Sequence, residues 1–299
     1  MNKDELKRQF FEKGATALKK LISIDQDCYC CPVCKKLFLP KALEVGVLTL
    51  EHAPPKKLGG RPLALTCKEC NSIAGYSIDA AVVNREKLLD AAKAITGQKR
   101  NYRGRATLSM GGKEINVKLE VDDGCISLKP HQKTNNPKKL AAYKNYMMHL
   151  YEAGKWNGEK GKITPLARYH QKYSKVGDLK TAFIICFAFF GYTFVLNKRL
   201  SPIREQIINY KDEIIDRYWI VSDPKINQKH FICLIETPIS AIAVKIDKST
   251  ILLPWLEGPK DLYKLLKENY EYGEPLTFEG RFFNWPETLE MKLDFFEGT

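Results

Sequence analysis

Two Cys-x-x-Cys turns, Cys31-Pro-Val-Cys34 and Cys67-Lys-Glu-Cys70, are separated by 32 residues. No other feature constrains the fold as much. Each turn aims two thiolates at one ion, and four thiolates complete the closed tetrahedral site that structural Zn²⁺ takes. Cys28 overlaps the pattern as a competing Cys28-x-x-Cys31 pair. Cys125, Cys186 and Cys233 stand singly in apolar runs and read as reduced core thiols. The opening MNKDELKRQFFEKG is charged and amphipathic, without the apolar stretch of a secretory signal, so a cytoplasmic, reducing location is expected. In that compartment clustered cysteines bind metals before they bridge.

The chain has 299 residues and is 44% hydrophobic, enough for sizeable cores. Its net charge of +13 favours a polyanionic partner, and the excess is concentrated. Residues 1–80 carry 13 basic and 9 acidic side chains, 81–180 carry 21 and 9, and 181–299 carry 14 and 17. The uncharged run Thr181–Leu196 is shorter than the roughly 20 apolar residues a bilayer requires, so it is expected to be a buried core helix with no membrane partner.

Leu6, Phe10, Phe11, Ala15, Leu18, Leu21 and Ile22 follow helical spacing and predict an amphipathic helix over residues 4–22. Strands are expected near Leu37–Leu39 and Val45–Leu50, then one helix from Cys70 that ends at Gly97. A three-stranded meander follows at Ala106–Met110, Glu114–Val121 and Cys125–Leu128, turning at Gly-Gly and Asp-Asp-Gly. Helices are predicted over LAAYKNYMMHLYEAG, at residues 179–196, at SPIREQIINY with Ser201 as its N-cap, and at DLYKLLKEN. Residues 155–165 read as a loop, and alternation over 218–254 and 276–296 predicts a second antiparallel sheet. Neither an internal repeat nor a low-complexity tract is present. The expected class is α+β, divided into residues 1–97, a basic meander and linker at 98–136, and an α+β part at 137–299.

CPVC, then LEHAPPKKLGG, then LTCKECN are the residues that resemble the HNH endonucleases of the ββα-metal fold, in their zinc-ribbon branch. In that family an acid or histidine precedes a histidine, a glycine pair follows, and His or Asn comes directly after the last cysteine. The resemblance covers Cys31 to Asp79, about a sixth of the chain. It implies a nuclease module at the N-terminus with Cys31, Cys34, Cys67 and Cys70 on structural Zn²⁺. His52 would be the general base, its ordinary pKa leaving neutral imidazole abundant near pH 7. Glu51 and Asn71 would hold one Mg²⁺ or Mn²⁺, hard ions that favour oxygen ligands. A strand turns successive side chains to opposite faces, so Glu51 and His52 meet one ion only if the backbone bends there.

Two positions depart from the family pattern: Pro62 stands where the family usually has Asn, and Gly75 where some members have a further histidine ligand. The substrate class implied is DNA, with RNA as the alternative. For phosphate contacts the candidates are Lys56, Lys57 and Arg61, and the run Lys99, Arg100, Arg103 and Arg105 interleaved with Tyr102. Family members with added domains occur in bacterial and phage restriction, homing and defence systems. The acidic C-terminal third is expected to serve as a sensor, a homodimer surface or a dock for a regulatory partner. The competing readings are a non-catalytic zinc module that binds nucleic acid and a protein-interaction module.

Overall fold

The computed structural model describes residues 2–155, 159–167, 169–221, 228–270 and 277–292. The protein is α+β, as expected, and divides into two compact units: residues up to 83 together with those from 171 onward, and residues 84–170.

In the first unit, α1 (Lys3–Leu21) is capped by Asn2, whose side chain accepts from the Asp4 N–H, and carries Lys19 and Lys20 in its last turn where they suit the helix dipole. It buries Phe10, Phe11, Ala15 and Leu18. Leu21 and Ile22, expected in the same stripe, are exposed because Ile22 is already extended and the stripe ends with the helix. Strands β1 (Tyr29–Cys30) and β2 (Leu37–Phe38) pair around the first cysteine turn. After the short α2 (Lys41–Glu44), β3 (Leu48–Ala53) and β4 (Arg61–Cys67) form an antiparallel hairpin that runs directly into α3 (Lys68–Tyr76). The single helix expected from Cys70 to Gly97 is broken at Ser77, whose hydroxyl donates to the Tyr210 hydroxyl at 3.0 Å. It resumes as α4 (Ile78–Ile95), after which Gly97 takes the left-handed φ of +75° expected of a helix stop.

The second unit begins within α4. Its strands β5 (Tyr102–Met110), β6 (Lys113–Asp122) and β7 (Cys125–Pro130) form the predicted meander. Both turns, Gly111-Gly112 and Asp123-Gly124, have positive φ at both central residues, the geometry that matches strand twist in two-residue hairpins. Ile115, Val117, Leu119 and Val121 point to one face, where α5 (Pro137–Glu152) covers them with Tyr143. Part of the expected 155–165 loop is instead strand β8 (Gly161–Pro165), which completes the order β7-β6-β5-β8. Lys-Ile-Thr-Pro is too short and polar to announce a strand; the open edge of β5 recruits it. Cys125 is another correction: at the start of β7 it is exposed rather than in the core.

The chain then returns to the first unit with α6 (Gln171–Phe190), buried at every residue from Val176 to Phe190. It packs on β3, β4, the next two helices and the second sheet. Gly191, at φ +73°, ends it sooner than the expected 196, and α7 (Tyr192–Val195) follows. In α8 (Ser201–Ile208) Ser201 is the first helical residue, with Leu200 at the cap position. The second sheet contains β9 (Trp219–Val221), β10 (His230–Thr237), β11 (Ala241–Ile246) and β12 (Ser249–Pro254), and after α9 (Leu262–Asn269) it gains β13 (Glu279–Phe283). Its order is β13-β10-β11-β12-β9. Strands β11 and β12 are buried along their whole length, so they do not show the expected polar alternation. Residues 284–292 are not strand, and Glu290, Met291 and Lys292 bond back to Ala188 and Phe189 of α6, while 222–227, 276 and 293–296 of the expected sheet lie outside the described residues. None of the described helices is long and apolar enough to cross a membrane.

Two buried tyrosines complete the strand backbones. The Tyr29 hydroxyl donates to Leu65 O at 3.0 Å and accepts from Leu65 N–H at 3.1 Å. The Tyr192 hydroxyl does the same for Cys30, at 2.9 and 3.0 Å. Gly14 of α1 lies so close to the Tyr29 ring that a Cβ there would collide with it. Tyr192→Phe strands a buried N–H and C=O of Cys30, so urea unfolding is expected to show a loss of about 1–3 kcal/mol. Tyr76→Phe, at a side chain 88% exposed, is expected to stay within about 0.5 kcal/mol of wild type.

Candidate functional site

The β1 end, the β4 end and the start of α3 converge on four thiols. Lys35, at a positive φ of 59°, closes the first turn, and its N–H donates to Cys31 O. Cys67 is both the last residue of β4 and the N-cap of α3, its sulfur accepting from the Cys70 N–H at 3.5 Å. The sulfurs of Cys31, Cys34, Cys67 and Cys70 all lie within 4.8 Å of one another, with Cys34 and Cys67 at 3.7 Å. Sulfurs on a tetrahedral ion with bonds of about 2.3 Å stand at about this separation. Hydrogen bonds from Cys31 lower the Cys67 and Cys34 thiols, the latter to about 7, and those same bonds push Cys31 up. Four thiols at this spacing suit a divalent metal ion. Cys28, which the spacing offered as a competing partner of Cys31, is buried outside this cluster, as is Cys30.

Glu51 points into the core. It is 3% exposed; its Oε1 accepts from Lys180 Nζ of α6 at 2.8 Å, and its Oε2 accepts from Thr66 Oγ1 at 3.1 Å. The same ammonium donates to Asp79 Oδ2 of α4 at 2.8 Å, and Asp79 Oδ1 is buried without a hydrogen-bond partner. Burial raises the Glu51 carboxyl despite Lys180; burial alone would lower Lys180, but Glu51 and Asp79 outweigh it and hold the ammonium above its ordinary range.

His52, the next residue, is half-buried. The hairpin ladder shifts between the two positions: Glu51 faces Ala64 and His52 faces Pro62, leaving Leu63 as the extra residue of a bulge in β4. The bulge does not bring the two side chains to one side, since Glu51 stays in the core while His52 reaches partial exposure. Burial lowers the His52 imidazole, and the charges of Lys56, Lys3 and Lys180 lower it further. Asn71, first after Cys70 in α3, donates its amide to Thr49 Oγ1 at 2.8 Å and to Leu50 O at 3.2 Å. Thr49 in turn donates to Thr66 O at 3.3 Å, so Asn71 and Glu51 are joined through two threonines rather than directly.

In the loop after His52, Gly59 takes φ +82° and Gly60 lies against Pro54 O, where any Cβ would clash, so both glycines of the pair are required. Lys56 and Lys57 are exposed there, and Arg61 forms an exposed ion pair with Glu287 at 3.1 Å. Gly75 has open space around it. In the second unit Lys99 pairs with Asp90 at 2.7 Å and Arg100 approaches Asp123 at 3.9 Å, whereas Arg103 and Arg105 project from β5.

Sequence reasoning missed Lys180, Asp79 and Thr66. A single lysine inside GDLKTAFIICFAFF was the available signal, because a cation in a buried helix demands buried acids. Against models of protein families, curated proteins and solved structures, the chain finds no match.

Lys180→Met leaves two carboxylates without their cation and is expected to cost about 3–5 kcal/mol in urea unfolding. Adding Glu51→Gln and Asp79→Asn should recover most of that loss. His52 is expected to titrate below 6.5 by NMR. Its folded pKa lies under the unfolded one, so its contribution to stability is complete above pH 6.5 and declines as pH falls through the folded value.

Proposed function

We propose that residues Cys31 to Asp79 form an HNH-type ββα-metal endonuclease module hydrolysing phosphodiester bonds in DNA, with Zn²⁺ on the four cysteines as its structural ion. One observation carries the reading: a half-buried His52, its imidazole lowered by burial and lysine charge, stands near the end of β3 ahead of a cationic loop, on the strand pair that the cysteine cluster joins to Asn71. His52 takes the proton from a water attacking phosphorus, the P–O bond to the leaving strand end breaks, and the departing oxygen takes a proton from solvent, while Lys56, Lys57 and Arg61 offer positive charge to the phosphate.

The second ion implied by the resemblance does not fit the side chains as they stand. Mg²⁺ or Mn²⁺ would need a Glu51 oxygen, and both are engaged, by Lys180 and Thr66. No step is written through that ion. The same engagement favours a second reading, a zinc module that binds nucleic acid without cutting it.

Supercoiled plasmid in Mg²⁺, Mn²⁺ and EDTA separates the two. The endonuclease reading expects nicking that His52→Ala abolishes with zinc content intact; no cleavage by wild type in any condition, with binding retained, selects the second reading. Elemental analysis is expected to find one Zn²⁺ per chain, lost in Cys67→Ser and kept in Cys186→Ser.

A further inference from the structure

The charge excess belongs mainly to the second unit. Residues 84–170 carry 18 basic and 8 acidic side chains, a net +10 of the chain's +13. The sheet of that unit has one apolar face, covered by α5, and one polar face. Cross-strand register determines which side chains share the polar face. Arg105 lies opposite Lys118, and Lys118 lies opposite Lys129 on the next strand. Adjacent strands are about 4.8 Å apart, so three cations form a row across three strands. Like charges directly opposite each other destabilise a sheet, and nothing in the packing requires them here: all three side chains are exposed. Among the described residues Lys129 is offset by Glu120 at 2.7 Å, while Arg105 and Lys118 make no ion pair. Arg103, the next residue of β5 on the same face, lies opposite Glu120, and Lys162 of β8 lies opposite Ser109, which faces Glu114, so the unbalanced positive charge centres on Arg105 and Lys118.

We propose that this face is a second nucleic-acid surface that holds the sugar-phosphate backbone of a duplex. Charge complementarity selects a polyanion. The choice of duplex over single strand follows from what else the face presents. Thr107, Thr164 and Ser127 supply hydroxyl groups suited to phosphate oxygens, and no Phe, Tyr or Trp occupies its outward strand positions. Tyr102 pairs with Val121 on the opposite, apolar face. Recognition of single strands by sheets depends on bases stacking on aromatic rings. The surface lies outside the residues that resemble a nuclease, and its role rests on the nucleic-acid reading of the chain.

Binding of the full-length, zinc-loaded protein to a 20-base-pair DNA duplex and to a single strand of equal length, each measured over a salt series without added Mg²⁺ or Mn²⁺, tests it. Arg105→Gln, Lys118→Gln and Lys129→Gln combined should weaken duplex binding about tenfold or more at low salt and flatten the log–log salt slope by about two to three, since each lost phosphate contact removes about 0.9. Arg105→Gln alone should flatten it by about one. The charge-keeping set Arg105→Lys, Lys118→Arg and Lys129→Arg should bind as wild type does. Neutralising three exposed lysines of the first unit, Lys248, Lys260 and Lys264, should matter far less. Equal duplex binding by wild type and the Gln triple, an equal loss from the first-unit set, or a loss confined to the single strand overturns the inference alone. A wild type that binds neither oligonucleotide overturns it together with the nucleic-acid reading.

Discussion

One buried ammonium organises the first unit. Lys180 stands in the middle of α6, the helix that hairpin and second sheet both pack against, and it is 2% exposed. A charge so placed is tolerable only when paired and hydrogen-bonded. Its two partners come from different elements: Glu51 from β3, more than a hundred residues away in sequence, and Asp79 from the start of α4. The apolar contacts of α6 are non-directional and would accept several rotations of the helix. The two 2.8 Å bonds accept one, and they fix the hairpin's inner face at the same time.

The cysteine cluster performs the complementary task on the other end of the hairpin. β4 ends at Cys67, which belongs to the cluster and caps α3 in the same residue, so any ion held there fixes the angle between strand and helix. Tyr29 and Tyr192 reinforce this junction from within, satisfying the backbone of Leu65 and Cys30 where strands as short as two residues leave groups unpaired.

Local signals in the sequence carried far. Paired cysteine spacing anticipated the cluster, glycine turns anticipated the meander, and an apolar run too short for a bilayer anticipated the core helix. What stayed hidden is non-local. The first unit is discontinuous, since α6 returns to it after the second unit, and no left-to-right reading reveals that. β8 exists because β5 had a free edge, and α3 ends at Ser77 because of a hydroxyl on Tyr210. The resemblance implied a metal ligand at Glu51; only the fold discloses the lysine across from it.

That lysine also determines how a cation could act at the hairpin. A divalent ion at Glu51 would have to separate a buried ion pair, a change of the kind that costs about 3–5 kcal/mol. Mg²⁺ gives up its water reluctantly and gains little from a single amide oxygen at Asn71. Any ion site sharing Glu51 is therefore weak unless a bound phosphate adds ligands of its own. Burial does most to lower the His52 imidazole, and the ammonium behind β3 adds to the lowering by Lys56 and Lys3. His52 and the buried triad are thus linked through space, though they share no hydrogen bond among the described residues.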